Sequence, residues 1–175
     1  WGGLGRLRAV DYPDSWAQVR AAVADADGRD VLVLPFTSYR APEWNGGRKV
    51  LDPLGRYLRP DFVASDELYV AGDRLPGEDP RALRVDAALR GETGEALAAA
   101  LAAEGVGVVV TDGAAGGETP ALPGATRRFG AVTVQEIPDV RRLEVPPSWW
   151  VAMAAAWGGW LLVPLALVLR RRRRE

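Results

Sequence analysis

The sequence predicts an α/β domain, a small mixed sheet with helices packed on it, followed by one C-terminal transmembrane helix. Three observations predict it. Val31-Leu32-Val33-Leu34 and Val106-Gly107-Val108-Val109-Val110 are continuous apolar runs of strand length, so both faces of each are expected to be buried. Each follows a segment of helical periodicity, and helix-then-strand units build sheets with helices packed against them. The third observation is the uncharged stretch from Trp149 to Leu169, closed by Arg170-Arg171-Arg172-Arg173-Arg174.

In chain order, Leu7 to Val10 reads as a short strand. Asp11-Tyr12-Pro13 ends it, because proline has no N–H to donate and biases its neighbour away from the helix. A helix follows, with Asp14 or Ser15 as cap, Gln18 three residues after Ser15, and Trp16, Val19 and Val23 on one face; Gly28 ends it. Residues 36–60 read as one long loop with three prolines, three glycines and the turn signal Asn45-Gly46-Gly47. Such loops in compact domains are usually functional or disordered. Phe62-Val63-Ala64 and Leu68-Tyr69-Val70 read as short extended pieces around Ser65-Asp66-Glu67.

Asp79-Pro80 then supplies a helix cap with proline at the first helical position, Val85 and Leu89 share a face, and Gly91 terminates. A second helix is expected from Thr93 to Glu104, with Leu97 and Leu101 four apart and Gly105 after it. Because Gly91-Glu92 is the whole connection, the two helices are expected to pair on one face. The buried strand at 106–110 comes next, then a flexible stretch from Gly113 to Gly124. Ala131 to Ile137 alternates as an edge strand does.

The expected organisation is an extracytoplasmic domain over 1–148, a transmembrane helix over 149–169 and a cytoplasmic basic tail over 170–175, with Val145-Pro146-Pro147 as the hinge. As a helix, 149–169 is about 31 Å long, against a hydrocarbon core of about 30 Å. Five arginines on one flank, against Arg141 and Arg142 amid Glu136, Asp139 and Glu144 on the other, put the C-terminus in the cytoplasm. Trp149 and Trp150 suit the outer interface, while Gly158-Gly159 and Pro164 suit a helix packed among others. Export also needs a start, and Trp1 to Arg8 contain no apolar core for one. The expectation is a piece of a longer chain with upstream transmembrane helices as partners, alongside the lipid bilayer.

Setting aside the five tail arginines and Glu175 leaves 17 basic and 22 acidic residues in 1–148, a net charge of −5. That is not the balance of a nucleic-acid binder. With no cysteine and no histidine, disulfides, zinc sites built on those residues, thiol nucleophiles and imidazole triads are excluded. No metal and no cofactor is expected. Of the 22 basic residues only Lys49 is lysine, a bias that points to a GC-rich genome.

The 36–60 segment carries the candidate site. Arg40, Arg48, Lys49, Arg56 and Arg59 against Glu43 and Asp52 give it a local charge of +3, and Phe36, Tyr39, Trp44 and Tyr57 interleave. Guanidinium forks match phosphate and aromatic faces pack on sugar rings, so Tyr39, Arg40, Trp44, Arg48, Asp52 and Arg56 are the candidate ligand-binding residues, with a polyprenyl phosphate or envelope glycan as ligand. The competing reading makes the aromatics core and pairs the arginines with acids. Gly113 to Gly117 follows a buried strand, yet it matches neither phosphate-loop pattern. Asp66-Glu67 and Asp11/Asp14 read as turn and capping acids, and Ser38 with Lys49 as a conceivable nucleophile and base. No catalytic residue is assigned.

The run from Val31 to Arg40, continuing through Trp44-Asn45-Gly46 to Leu51-Asp52-Pro53, resembles the last extracytoplasmic segment of large actinobacterial multi-pass membrane proteins. Those proteins are similar to GT-C type glycosyltransferases, which move sugars from polyprenyl-phosphate donors to envelope glycans. The resemblance spans roughly residues 5–110 and the terminal span. It implies an accessory domain without the catalytic carboxylate, which such families place in their first outside loop. A single-span membrane-anchored interaction domain with no enzymatic role is the alternative.

Overall fold

The computed structural model describes residues 9–24 and 29–172, with the side chains of 163–172 outside the description. The chain divides into two units, through Arg142 and from Leu143 onward. In the first, a five-stranded mixed sheet is ordered β4-β1-β7-β9-β8. β1 (Asp30–Leu34) and β7 (Val106–Asp112) are the two apolar runs, paired in parallel at the centre, and β4 (Phe62–Val63) lies parallel on the other side of β1. β9 (Val132–Glu136) runs antiparallel between β7 and β8 (Thr126–Phe129).

Both faces of the sheet are covered, which is why its central strands can be apolar throughout. On β1, Val31 and Val33 face a core built with Trp16, Val19 and Val23 of the α1 segment (helix Asp14–Ala22) and Leu54 and Leu58 of α2 (Leu54–Leu58). Leu32 and Leu34 face the other core, with Val85 of α3 (Pro80–Gly91) and Leu97 and Leu101 of α4 (Gly94–Ala103). Period-two alternation therefore divides one strand between two cores.

β7 keeps both cores supplied by a break in that alternation. Val106 joins the second core and Val108 the first, although both are even-numbered. The register explains it: Asp30 pairs with Val106 but Val31 with Val108, a bulge that leaves Gly107 over. A Cβ on Gly107 would lie 2.5 Å from Arg29 Cβ, so the extra residue must be glycine.

Several expectations change. Of the strand expected at Leu7–Val10, Leu7 and Arg8 lie outside the described residues, and Ala9 and Val10 are in no strand. Helix α1 begins behind Pro13 with no side-chain cap, because Asp14 and Ser15 already fall inside its first turn; Gly28, expected to end it, lies outside the described residues. The pair α3 and α4 forms as expected, with the Asp79 carboxylate accepting from the Arg81 N–H. The Ala131–Ile137 strand is interior, not an edge, since β8 pairs on its far side. Residues 36–60 are not a loop: they fold into an antiparallel hairpin of β2 (Tyr39–Arg40) and β3 (Val50–Leu51), a 3-10 turn over Glu43–Asn45, and α2. A second hairpin, β5 (Leu68–Val70) with β6 (Asp73–Leu75), turns through Ala71 and Gly72, both at positive φ.

The second unit holds α5 (Pro147–Arg172), which starts at the expected hinge. Among the described residues no helix is long and apolar enough to cross a membrane, so they do not support the span expected over 149–169. The reason is where the aliphatic bulk lies. Trp149 to Trp160 is mostly Trp, Ala and Gly, and of the aliphatic run Leu161 to Leu169 only Leu161 and Leu162 have described side chains. Of the arginine cluster, Arg173 and Arg174 lie outside the described residues.

Candidate functional site

Open α/β sheets bind ligands in the crevice outside the carboxyl ends of their parallel strands. Here that end is occupied by one of the six candidates. Strand pleating in β2 exposes Tyr39 and buries Arg40. The Arg40 guanidinium donates from Nη1 to Asp112 Oδ2 at 2.7 Å and lies with Nη2 3.0 Å from Asp52 Oδ1. It also stacks over the Trp16 ring, 5.0 Å from its centre.

Each partner is held by its own segment. Asp112 ends β7, and its other oxygen accepts from the Ala114 N–H, capping the 3-10 turn over Gly113–Ala115. Asp52 follows β3, donates its own N–H to Ser38 O, and accepts the Leu54 N–H at the start of α2 at 2.9 Å. Arg40 thus fastens a hairpin, a helix start and the central strand together. The Arg40 and Asp112 side chains are each 4% exposed and Asp52 11%. Two carboxylates face one guanidinium, and burial pushes the Asp52 carboxyl above its ordinary range against the opposing pull of the Leu54 N–H and Arg40.

One aromatic candidate, Trp44, joins the same cluster. Trp44 meets Trp16 and Tyr12 edge-on at 5.6 and 5.1 Å, and Tyr57 packs against both Tyr12 and Trp16. Tyr12 stacks on Trp16 at 4.9 Å. The other candidates remain outside. Arg48 is exposed and closes its turn with Nε on Asn45 O, Tyr39 lies under the Lys49 ammonium at 5.4 Å, and Arg56 sits 5.9 Å from the Phe62 ring centre. The structure therefore brings Arg40, Asp52 and Trp44 together as packing and leaves Arg48 and Arg56 on the surface, with exposed Lys49 and Arg59.

Beside the triad a cavity of about 80 Å³ lies between β1, β4 and α2, lined by Phe36, Ser38, Asp52, Arg56, Phe62 and Ser65 among others. Ser38 is no nucleophile paired with Lys49: its hydroxyl lies 2.7 Å from Ser65 O and 2.6 Å from Glu67 O, tying the hairpin to the next segment. Asp66 accepts the N–H groups of Glu78 and Asp79, and these bonds, that of Asp79 foremost, hold its carboxyl below the usual range. Glu67 takes Arg74, the main cause of its own lowered value. Both are structural acids. Among the described residues no group of three carboxylates could hold a metal ion.

Asp112 and Trp16 are the site residues the sequence does not single out. For Asp112 a signal exists, an acid directly at the carboxyl end of a buried run and followed by glycine. Compared with protein-family models, curated proteins and solved structures, the chain matches none of them.

Proposed function

We propose that this chain is an extracytoplasmic accessory domain held at the membrane by its C-terminal helix. Its place is in a polytopic cell-envelope protein of the glycosyltransferase-like kind that uses polyprenyl-phosphate sugars. In this reading the fragment contributes no catalytic residue.

One observation carries the proposal. Along the described part of α5, Trp149, Trp150, Val151, Trp157, Trp160, Leu161 and Leu162 are all more than half exposed. Apolar side chains exposed around a whole helix need lipid or other helices to cover them. The sequence continues without charge to Leu169 and then turns to arginine, which supports a span with its C-terminus inside. On the domain, Arg48, Lys49, Arg56 and Arg59 present cations at the surface to a phosphate or glycan.

The test is topology in intact cells. Single cysteines replace Arg48 and, separately, Glu175, and a membrane-impermeant maleimide is added. The proposal expects Arg48→Cys to label and Glu175→Cys to label only after lysis; the reverse pattern sinks it.

A second reading, an anchored interaction domain, draws on the β5–β6 hairpin, which exposes Leu68, Tyr69, Val70 and Leu75 together. An isolated two-stranded ribbon is weak by itself, and Arg74, midway along this one, ties it to Glu67 and to Asp86 of α3. Unchanged association with membrane partners after Tyr69→Ser plus Val70→Ser would remove this reading.

A further inference from the structure

On the α3/α4 face a cleft of about 400 Å³ opens at the carboxyl end of β1, within the size range of ligand sites. Leu34, Phe36, Leu89 and Leu97 give it an apolar lining continuous with the second core. Asp86, Glu92 and Glu118 also line it, and no lysine or arginine does. Asp86 is engaged by Arg74 and Arg90. Among the described residues, no ion pair involves Glu92, in the turn between α3 and α4, or Glu118, in the segment after β7.

The position in the sheet matters as much as the lining. The chain leaves β1 for β4 by way of α2 on one face, then passes back from β4 to β7 by way of α3 and α4 on the other. Open sheets take ligands in the crevice at the carboxyl ends of their parallel strands, and this cleft lies at that end of β1, beside the segment that follows β7. On the α2 face that crevice already holds a cation, the chain's own Arg40, fixed by Asp52 and Asp112. On the α3/α4 face the charge is of the same sign, and among the described residues no cation answers Glu92 or Glu118.

We infer that this cleft docks a basic peptide segment of a partner protein. Aliphatic side chains of the segment would lie on the half-buried Phe36 and Leu89, and its arginine or lysine against Glu92 and Glu118. The net charge of −5 over residues 1–148 steers the same class of partner. A phosphate-bearing ligand, the common occupant of such crevices, would meet the carboxylates of Glu92 and Glu118. The inference is independent of membrane topology.

The probe is a fluorescein-labelled octapeptide alternating leucine and arginine. It is titrated by polarisation against the full chain in phosphatidylcholine nanodiscs, with empty nanodiscs subtracted. Saturable binding is expected, weakened about tenfold or more by Glu92→Gln plus Glu118→Gln, and weakened by raised salt, as exposed charge pairs are. Leu89→Ser is expected to weaken it as well, while Glu43→Gln, on the 36–60 segment, leaves it unchanged. Circular dichroism checks that each variant is folded. Wild-type affinity in the double glutamine variant overturns the site. Equal binding of an octapeptide alternating serine and arginine, or displacement by spermine at equal concentration, overturns the peptide in favour of a small cation. Failure to saturate at millimolar peptide overturns the inference outright.

Discussion

Replacing Arg40 with leucine tests whether the triad holds the domain together. The substitution keeps an apolar contact with Trp16 but removes the cation between Asp52 and Asp112, two carboxylates that are 11% and 4% exposed. Taking one partner from a buried ion pair costs about 3–5 kcal/mol, because the charge left behind is stripped of both water and partner. Domains of this size are stable by about 5–15 kcal/mol, so the variant loses a large fraction of its margin. At about 2–4 °C per kcal/mol, the midpoint falls by roughly 6–20 °C. The assay is thermal unfolding of the full chain in detergent, followed by near-ultraviolet circular dichroism, which reads the packing of Trp16 and Trp44. A second variant separates charge from packing: Arg40→Leu with Asp52→Asn and Asp112→Asn keeps acceptors for the Leu54 and Ala114 N–H groups and leaves no charge at these three positions. It is expected to recover much of the loss. A single variant costing under about 1 kcal/mol, or a triple variant no better than the single, would refute the reasoning.

Asp52→Asn alone tests the sign of its ionisation. Burial raises the folded carboxyl above its unfolded value near 3.8, so the folded state binds the proton more tightly and this residue's contribution to stability declines as pH rises from about 4 through the folded value. Wild type should therefore lose stability relative to Asp52→Asn over that window, and parallel stability curves would count against it. Gly55→Ala and Gly91→Ala should move in opposite directions. At Gly55 a new Cβ would meet the Phe62 ring at 2.5 Å, costing about 1–3 kcal/mol against a helix-propensity gain of about 1. At Gly91 nothing lies within 4 Å and about 0.5–1 kcal/mol is gained; urea unfolding of both checks the contrast. Arg48→Ala plus Arg56→Ala should leave the melting curve in place and weaken polyprenyl-phosphate binding tenfold or more, at about 1.5–3 kcal/mol per charged hydrogen bond. Equal affinity in a nanodisc binding assay would remove the surface cations from the proposed role.

The elements legible in the sequence are those whose cause is local. Continuous apolar runs disclose β1 and β7, and Asp79-Pro80 discloses the start of α3, since burial on two faces and a capped first turn both leave marks within a few residues. The 36–60 segment carries no such mark. β2 and β3 are two residues each and α2 is five, too short for a period, and what organises them is a contact between Arg40 and Asp112, 72 positions apart. The same distance hides half the candidate site. Arg40, Asp52 and Trp44 stand out as a charged and aromatic cluster, but their partners Asp112 and Trp16 lie in other elements, and only with those partners does the cluster read as internal packing. β8 escapes notice because Thr126, Arg127 and Arg128 are all exposed, which erases the alternation that betrays a half-buried strand, and without β8 the next strand, β9, reads as an edge.

That exposed strand has a consequence for how many copies can coexist. Sheet margins with free backbone donors and acceptors recruit further chains, and length and greasiness make recruitment worse. At one margin stands β8 with adjacent arginines; at the other, β4 is two residues long. Neighbouring molecules gathered on a common surface would find arginines at one border of this sheet and too short a template at the other, so the five-stranded sheet gives little purchase for pairing in series.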